Sequence, residues 1–176
     1  LVEEEAMTAP QLHLPRTVVS DQTDRAVDLL GHYFTPGKFI GGRWDGFDPS
    51  GTRAASANVF TSDDVASAAL LNTPVPGHAV VHLLITQRVH FAGLLEAVGP
   101  DRDFIDVDPD PSGKDMAPVY ELYEALKTLP KIGPTIASKL VARKRPRLFP
   151  IIDAELRQTV FHETRKDGYV GRALLH

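Results

Sequence analysis

The 176-residue chain contains no cysteine. That absence excludes disulfides, thiolate metal centres and cysteine-ligated iron–sulfur clusters. No apolar run approaches the roughly 20 residues that a membrane-spanning helix needs. The opening LVEEEAMTAP is acidic where a signal peptide is basic. Met7 reads as a natural start, with the residues before it an extension. A soluble, cytoplasmic protein with no membrane partner is expected. Also missing are a G-x-S-x-G elbow, a Walker loop and a dinucleotide fingerprint, so nucleophilic hydrolases and nucleotide-binding folds have no support. Alternating strands and internal repeats are absent as well.

What is present is an apolar content of 43%, enough for one domain to bury its own core. The periodicity predicts an all-α fold. SDQTDRAVDLLGHYF starts at Ser20 or Asp21 as N-cap and spaces Val27, Leu30 and Phe34 on one side. TSDDVASAALL carries Thr61 with Asp64 three residues on, a capping box with Asp in place of Glu. From His78 to Val98 the apolar positions Val81, Leu84, Ile85, Val89, Leu94 and Leu95 predict one long helix or two short ones, with Gly93 a candidate break. APVYELYEALKTL places Pro118 at a first helical position and puts Val119, Leu122, Tyr123, Leu126 and Leu129 on one stripe. DAELRQTVFHETR makes the last helix. Residues 1–19 read as a flexible extension and 20–176 as the helical domain.

Two loops and one histidine pair invite a functional reading. Residues 35–60 hold five glycines with Phe39, Trp44 and Phe47 among them. Such a loop is either a flap whose rings stack on a base or a lid that seals the core. In DRDFIDVDPDPSGKD, Pro111 and Ala117 stand where a calcium loop needs glycine and glutamate, so a polar surface loop is expected. His78 and His82 stand four apart, but no third ligand is recognisable. No metal and no cofactor are expected.

The charge distribution is the strongest signal. The net charge is −4, yet Lys127, Lys131, Lys139, Arg143, Lys144, Arg145 and Arg147 fall within 21 positions that contain no acid. A segregated basic patch of this kind draws a polyanion to one face. It also suits a solvated helix end, where Lys and Arg meet the negative pole of the helix. The basic run follows LPKIGPTIAS, which ends one amphipathic helix at Leu129 and starts another at Pro134. A helix N-terminus presents unpaired N–H groups to a phosphate, and Gly133 lets the backbone approach without a Cβ in the way. Lys139 and Arg143, one turn apart, then grip flanking phosphates, and Lys144, Arg145 and Arg147 extend the track. Contacts of this kind bind DNA with little regard to sequence.

Leu129, Pro130, Lys131, Ile132, Gly133 and Ala137 resemble the helix-hairpin-helix motif, with Lys131 in place of its first glycine. The likeness continues through RPRLFPIIDAELR, whose Pro150, Ile152 and Asp153 are similar to the hydrophobic-Asp pair of the helix-hairpin-helix DNA glycosylase superfamily. This resemblance implies that Asp153 is catalytic, stabilising an oxocarbenium-like sugar while the base–sugar bond breaks. The alternative role for Asp153 is that of a helix cap. The resemblance also puts Thr135 near the position of the Schiff-base lysine of lyase-type members, so no lyase activity is implied. Glycosylase barrels continue well past this aspartate, whereas 23 residues follow it here, implying a shortened or incomplete C-terminal part. Over residues 25–155, FTSDDVASAALLN, VPGHA and ARKRPRLFPIID resemble an uncharacterised bacterial domain family with no established activity. The expected function is DNA binding, with monofunctional base excision the activity implied. An inert helical scaffold that docks an acidic protein, and a small-molecule N-glycosidase using Asp153, are the alternatives.

Overall fold

Seven α-helices and no strand form among the residues that the computed structural model describes, Leu14 and 22–160. The 1–19 extension, the expected caps Ser20 and Asp21, and the chain beyond Val160 lie outside the described residues, apart from Leu14. Helix α1 spans Thr23–Tyr33 and buries none of its residues. A 3-10 turn at Ile40–Arg43 follows, then a long loop, then α2 at Ser62–Leu70. The expected capping box at its start is present: the Thr61 hydroxyl accepts from the Asp64 N–H, and the Asp64 carboxylate accepts from the Thr61 N–H at 2.9 Å. Two otherwise unpaired donors are satisfied in this way.

The segment expected as one or two helices is α3 at Gly77–Val81, a π-helical turn at His82–Thr86, and α4 at Arg88–Val98. The interruption falls at Gln87, whose N–H reaches back five residues to the His82 carbonyl at 2.8 Å. Gly93 sits inside α4. The wider turn also corrects the expected apolar face. An inserted π turn rotates everything after it, so Val81, Ile85 and Val89 point outward while Leu83, Phe91, Leu94, Leu95 and Val98 enter the core.

Helix α5 spans Ala117–Lys127, with Pro118 in its first turn, and buries the expected stripe of Val119, Leu122, Tyr123 and Leu126. Leu129, just beyond it, is buried too. Helix α6, Pro134–Lys144, lies at the centre, packed against α5 on one side and α2 on the other, while α4 packs on α5. Ala137, Leu140 and Val141 are wholly buried; cutting Leu140 back to alanine should cost about 2–5 kcal/mol. The short α7 begins at Ala154. No helix among the described residues is long and apolar enough to cross a membrane.

Candidate functional site

The turn between α5 and α6 is tight. The Ile132 N–H donates to the Leu129 carbonyl at 3.1 Å, and the Ala137 N–H donates to that of Gly133 at 3.0 Å. Left-handed backbone is required at Lys131, with φ +60, and not at Gly133, where φ is −94 and ψ 179. A Cβ added at Gly133 would meet nothing within 4 Å. The left-handed position of the turn therefore falls on the residue that replaces the motif's first glycine, and the open space at Gly133 agrees with a backbone free to be approached. Lys131 is exposed, and Gly133 and Thr135 are half-buried.

The basic run corrects the expectation most sharply, because four of its members turn inward. Lys139, Arg143, Lys144 and Arg145 are 5%, 2%, 7% and 1% exposed, which removes them from any phosphate track on the surface of this fold. Arg143 donates to the carbonyls of Trp44 at 2.7 Å and of Phe47, and pairs with Asp64 at 3.3 Å. Lys144 pairs with the same carboxylate and donates to the Ser56 carbonyl at 3.0 Å. Arg145 donates to the carbonyls of Leu95 at 2.8 Å and Ala57 at 2.9 Å, and to the Asn58 side chain at 2.6 Å. Buried cations need such partners, since an unpaired one costs several kcal/mol. Their role is to hold the 44–58 loop, which has no regular structure to satisfy its carbonyls, against α6. Burial lowers the pKa of all four cations from their ordinary values, and Asp64 opposes that shift at Arg143 and Lys144. Arg147 stays exposed and pairs with Asp101 at 3.2 Å and Asp103 at 3.1 Å.

The same packing divides the aromatics of the 35–60 loop. Trp44 is buried beneath the Arg143 guanidinium, 5.9 Å from its ring centre, and acts as a lid. Phe39 is 47% exposed and stacks on Tyr33, with centroids 5.7 Å apart and planes at 18°. Gly41 and Gly42 permit this arrangement. A Cβ at Gly41 would overlap the Tyr33 hydroxyl, and one at Gly42 would come within 2.9 Å of the Tyr33 carbonyl.

Asp153 opens into a cavity of about 710 Å³ that Tyr33 and Phe39 line together with Lys139 and Asn72. That volume is within the range of small-molecule sites. Ser138 positions the carboxylate. Its hydroxyl accepts from the Ile152 N–H at 2.9 Å and shares its own proton between the Thr135 carbonyl at 3.0 Å and the Ile152 carbonyl at 3.2 Å, fastening the strap before α7 onto α6. One oxygen of Asp153 accepts from the Leu156 N–H at 2.9 Å, so the expected helix cap is made. Lys139, the next residue of α6, feels the Asp153 charge, which opposes the effect of burial on its amine. Its Nζ donates to the Leu71 carbonyl and the Thr73 hydroxyl, each at 2.9 Å. Of the sequence-predicted site residues, the cavity brings together Asp153 and Lys139; Lys131 and Gly133 stay on the turn before α6, and Thr135 in the first turn of that helix. Sequence reasoning missed Tyr33 and Asn72. Local pattern could have marked Asn72 alone, because asparagine just after a helix signals a left-handed cap.

No curated protein and no solved structure matches the chain. Residues 26–175 match a family of unknown function, DUF6308, and the chain belongs to that family.

Proposed function

We propose that the Asp153 cleft is an N-glycosidase site for a nucleobase-bearing substrate, working in the manner of the helix-hairpin-helix DNA glycosylases that residues 129–153 resemble. The observation that carries this reading is that Asp153, half-buried, lines a cleft together with Lys139 of α6 and the rings of Tyr33 and Phe39, instead of being closed in against its own helix. The base stacks on Phe39 or Tyr33; stacking of this kind contributes about 1–3 kcal/mol. As the C1′–N bond lengthens, its electron pair leaves with the base and positive charge grows on the sugar, where ionised Asp153 stabilises it. Water then adds to C1′, and its proton balances the departing base. Lys139, when protonated, favours the negative charge developing on that base. On DNA, the turn seats a phosphate through Lys131 and the unpaired N–H groups of Thr135 and Ile136 in the first turn of α6.

A second reading keeps the chemistry and changes the substrate to a free nucleoside. The burial of Lys139, Arg143, Lys144 and Arg145 favours it, since it takes four cations of the basic run away from the surface that a polyanion would meet, on a chain that is acidic overall.

The test is base release from duplexes carrying deaminated, oxidised or alkylated bases and from free nucleosides, with Asp153→Asn as the control. Release from DNA that Asp153→Asn abolishes supports the first reading, and release from nucleosides alone supports the second. No release from either set, or equal release by the Asn variant, means that Asp153 is only a cap and leaves the inert scaffold.

A further inference from the structure

Helix α2 ends in a left-handed cap. The Thr73 N–H returns to the Ala68 carbonyl at 3.3 Å and the Asn72 N–H to that of Ala69 at 3.0 Å, with Asn72 at φ +56. This pair of bonds closes the helix and needs a residue that tolerates positive φ. Glycine meets that need best, and asparagine is the commonest substitute. The cap thus accounts for the backbone of Asn72 but not for where its carboxamide lies. Lys139 holds the residues on either side, through the Leu71 carbonyl and the Thr73 hydroxyl. Asn72 is thereby fixed at the cleft wall, while its side chain makes no hydrogen bond among the described residues.

The other polar groups of the cleft are differently placed. Lys139 spends two of its three hydrogens on the α2 cap. One Asp153 oxygen caps α7, and the Thr159 hydroxyl donates to the Glu155 carbonyl at 2.6 Å. The Tyr33 hydroxyl offers only a single oxygen, so exposed Asn72 is the one described lining side chain that offers a free donor and a free acceptor on separate atoms side by side. A carboxamide of that kind pairs in bidentate fashion with N6 and N7 of adenine. It donates to N7 and accepts from the 6-amino group. A 6-oxopurine presents two acceptors at the same edge and satisfies only half of the pair.

We infer that Asn72 reads the Hoogsteen edge of a 6-aminopurine bound in the cleft, making adenine nucleosides, free or within a nucleic acid, the preferred ligands. This rests on the cleft's being a nucleobase site, as proposed above.

The test compares binding of adenosine and inosine by calorimetry to the full chain and to Asn72→Gly. Glycine accepts the left-handed cap and removes only the carboxamide, so thermal unfolding should confirm a native fold. The parent should bind adenosine about tenfold or more tightly than inosine, and Asn72→Gly should lose that ratio. A second variant, Asn72→Asp, keeps the acceptor that meets the 6-amino group and loses the donor to N7, which both purines offer, so both nucleosides should bind more weakly while the preference for adenosine remains. If the parent binds both nucleosides equally, or if Asn72→Gly keeps the preference, the assignment to Asn72 is overturned while the nucleobase site stands. If neither nucleoside binds and no base is released from DNA, both are overturned together.

Discussion

Asp64 and Asp153 both stand at the start of a helix and both accept a backbone N–H, yet they face different surroundings. Asp64 is 2% exposed and neutralises Arg143 and Lys144. Asp64→Asn should therefore destabilise the protein by about 3–5 kcal/mol, because two cations stay buried without a counter-charge. Asp101→Asn, beside exposed Arg147, should cost under about 1 kcal/mol. Urea denaturation of the two variants measures the contrast, and equal costs would mean that the buried network is not formed. Asp153 is half-buried at a cleft. Asp153→Asn should keep the cap and stay within a few tenths of a kcal/mol of the parent, whereas Asp153→Ala should lose about 1 kcal/mol. Both should lose base release, since neither carries the negative charge that the transition state requires. Joint loss of activity with near-parent stability in the Asn variant separates the charge from the cap.

Among the elements, the turn from Leu129 to Pro134 is the most revealing. Its left-handed residue is Lys131, which has a Cβ to accommodate there. Lys131→Gly should relieve that strain at some cost in unfolded-chain entropy, for a net gain of about 0.5–1 kcal/mol. Gly133→Ala should raise stability by about 0.4–1 kcal/mol, since its backbone is ordinary and its Cβ position is open. A loss of stability in Gly133→Ala would place the strained residue at Gly133. If the turn seats a DNA phosphate, Lys131→Gly should also flatten the log–log salt dependence of duplex binding by about one. An unchanged slope would take Lys131 out of the contact.

At the scale of the whole molecule, pH stability tests the packing of α5. Burial raises the Tyr120 hydroxyl well above the ordinary value of 10 and, with the Glu124 charge adding to it, raises Tyr123 to about 12. The folded state thus holds protons that the unfolded chain releases above about pH 10, so stability falls as pH rises from there. Lys139 and Lys144 act in the opposite sense. Their folded pKa values are depressed, so they add stability as pH climbs toward 10.5 and nothing beyond it. Unfolding free energy should accordingly drop most steeply above pH 10.5. Tyr120→Phe should soften that drop. It should also raise stability at neutral pH by about 1 kcal/mol, because the Tyr120 hydroxyl is buried without a hydrogen-bond partner among the described residues. Urea curves at pH 7 and pH 11 test both, and a slope unchanged by the variant would place Tyr120 in water.

Local pattern in the sequence was enough for the helices. Thr61 and Asp64 specify a capping box within four residues, and the α5 stripe from Val119 to Leu126 is a period that any core-facing helix must show. The π turn escaped because it changes the period only once, and its effect was to turn Val81, Ile85 and Val89 outward. The fate of the basic run was a tertiary matter. Arg143 and Lys144 leave the helix in directions about 100° apart and Arg145 follows its last residue, so no helical period marks all three as buried. Their burial depends on the 44–58 loop, some 90 residues earlier, covering α6 and offering its carbonyls. The cleft likewise draws Tyr33, Asn72, Lys139 and Asp153 from four separate segments. Sequence spacing sets which helices form and where they stop, because those forces act within a few residues; which charges meet solvent, and which residues share a cavity, depends on chain contacts that only the folded packing creates.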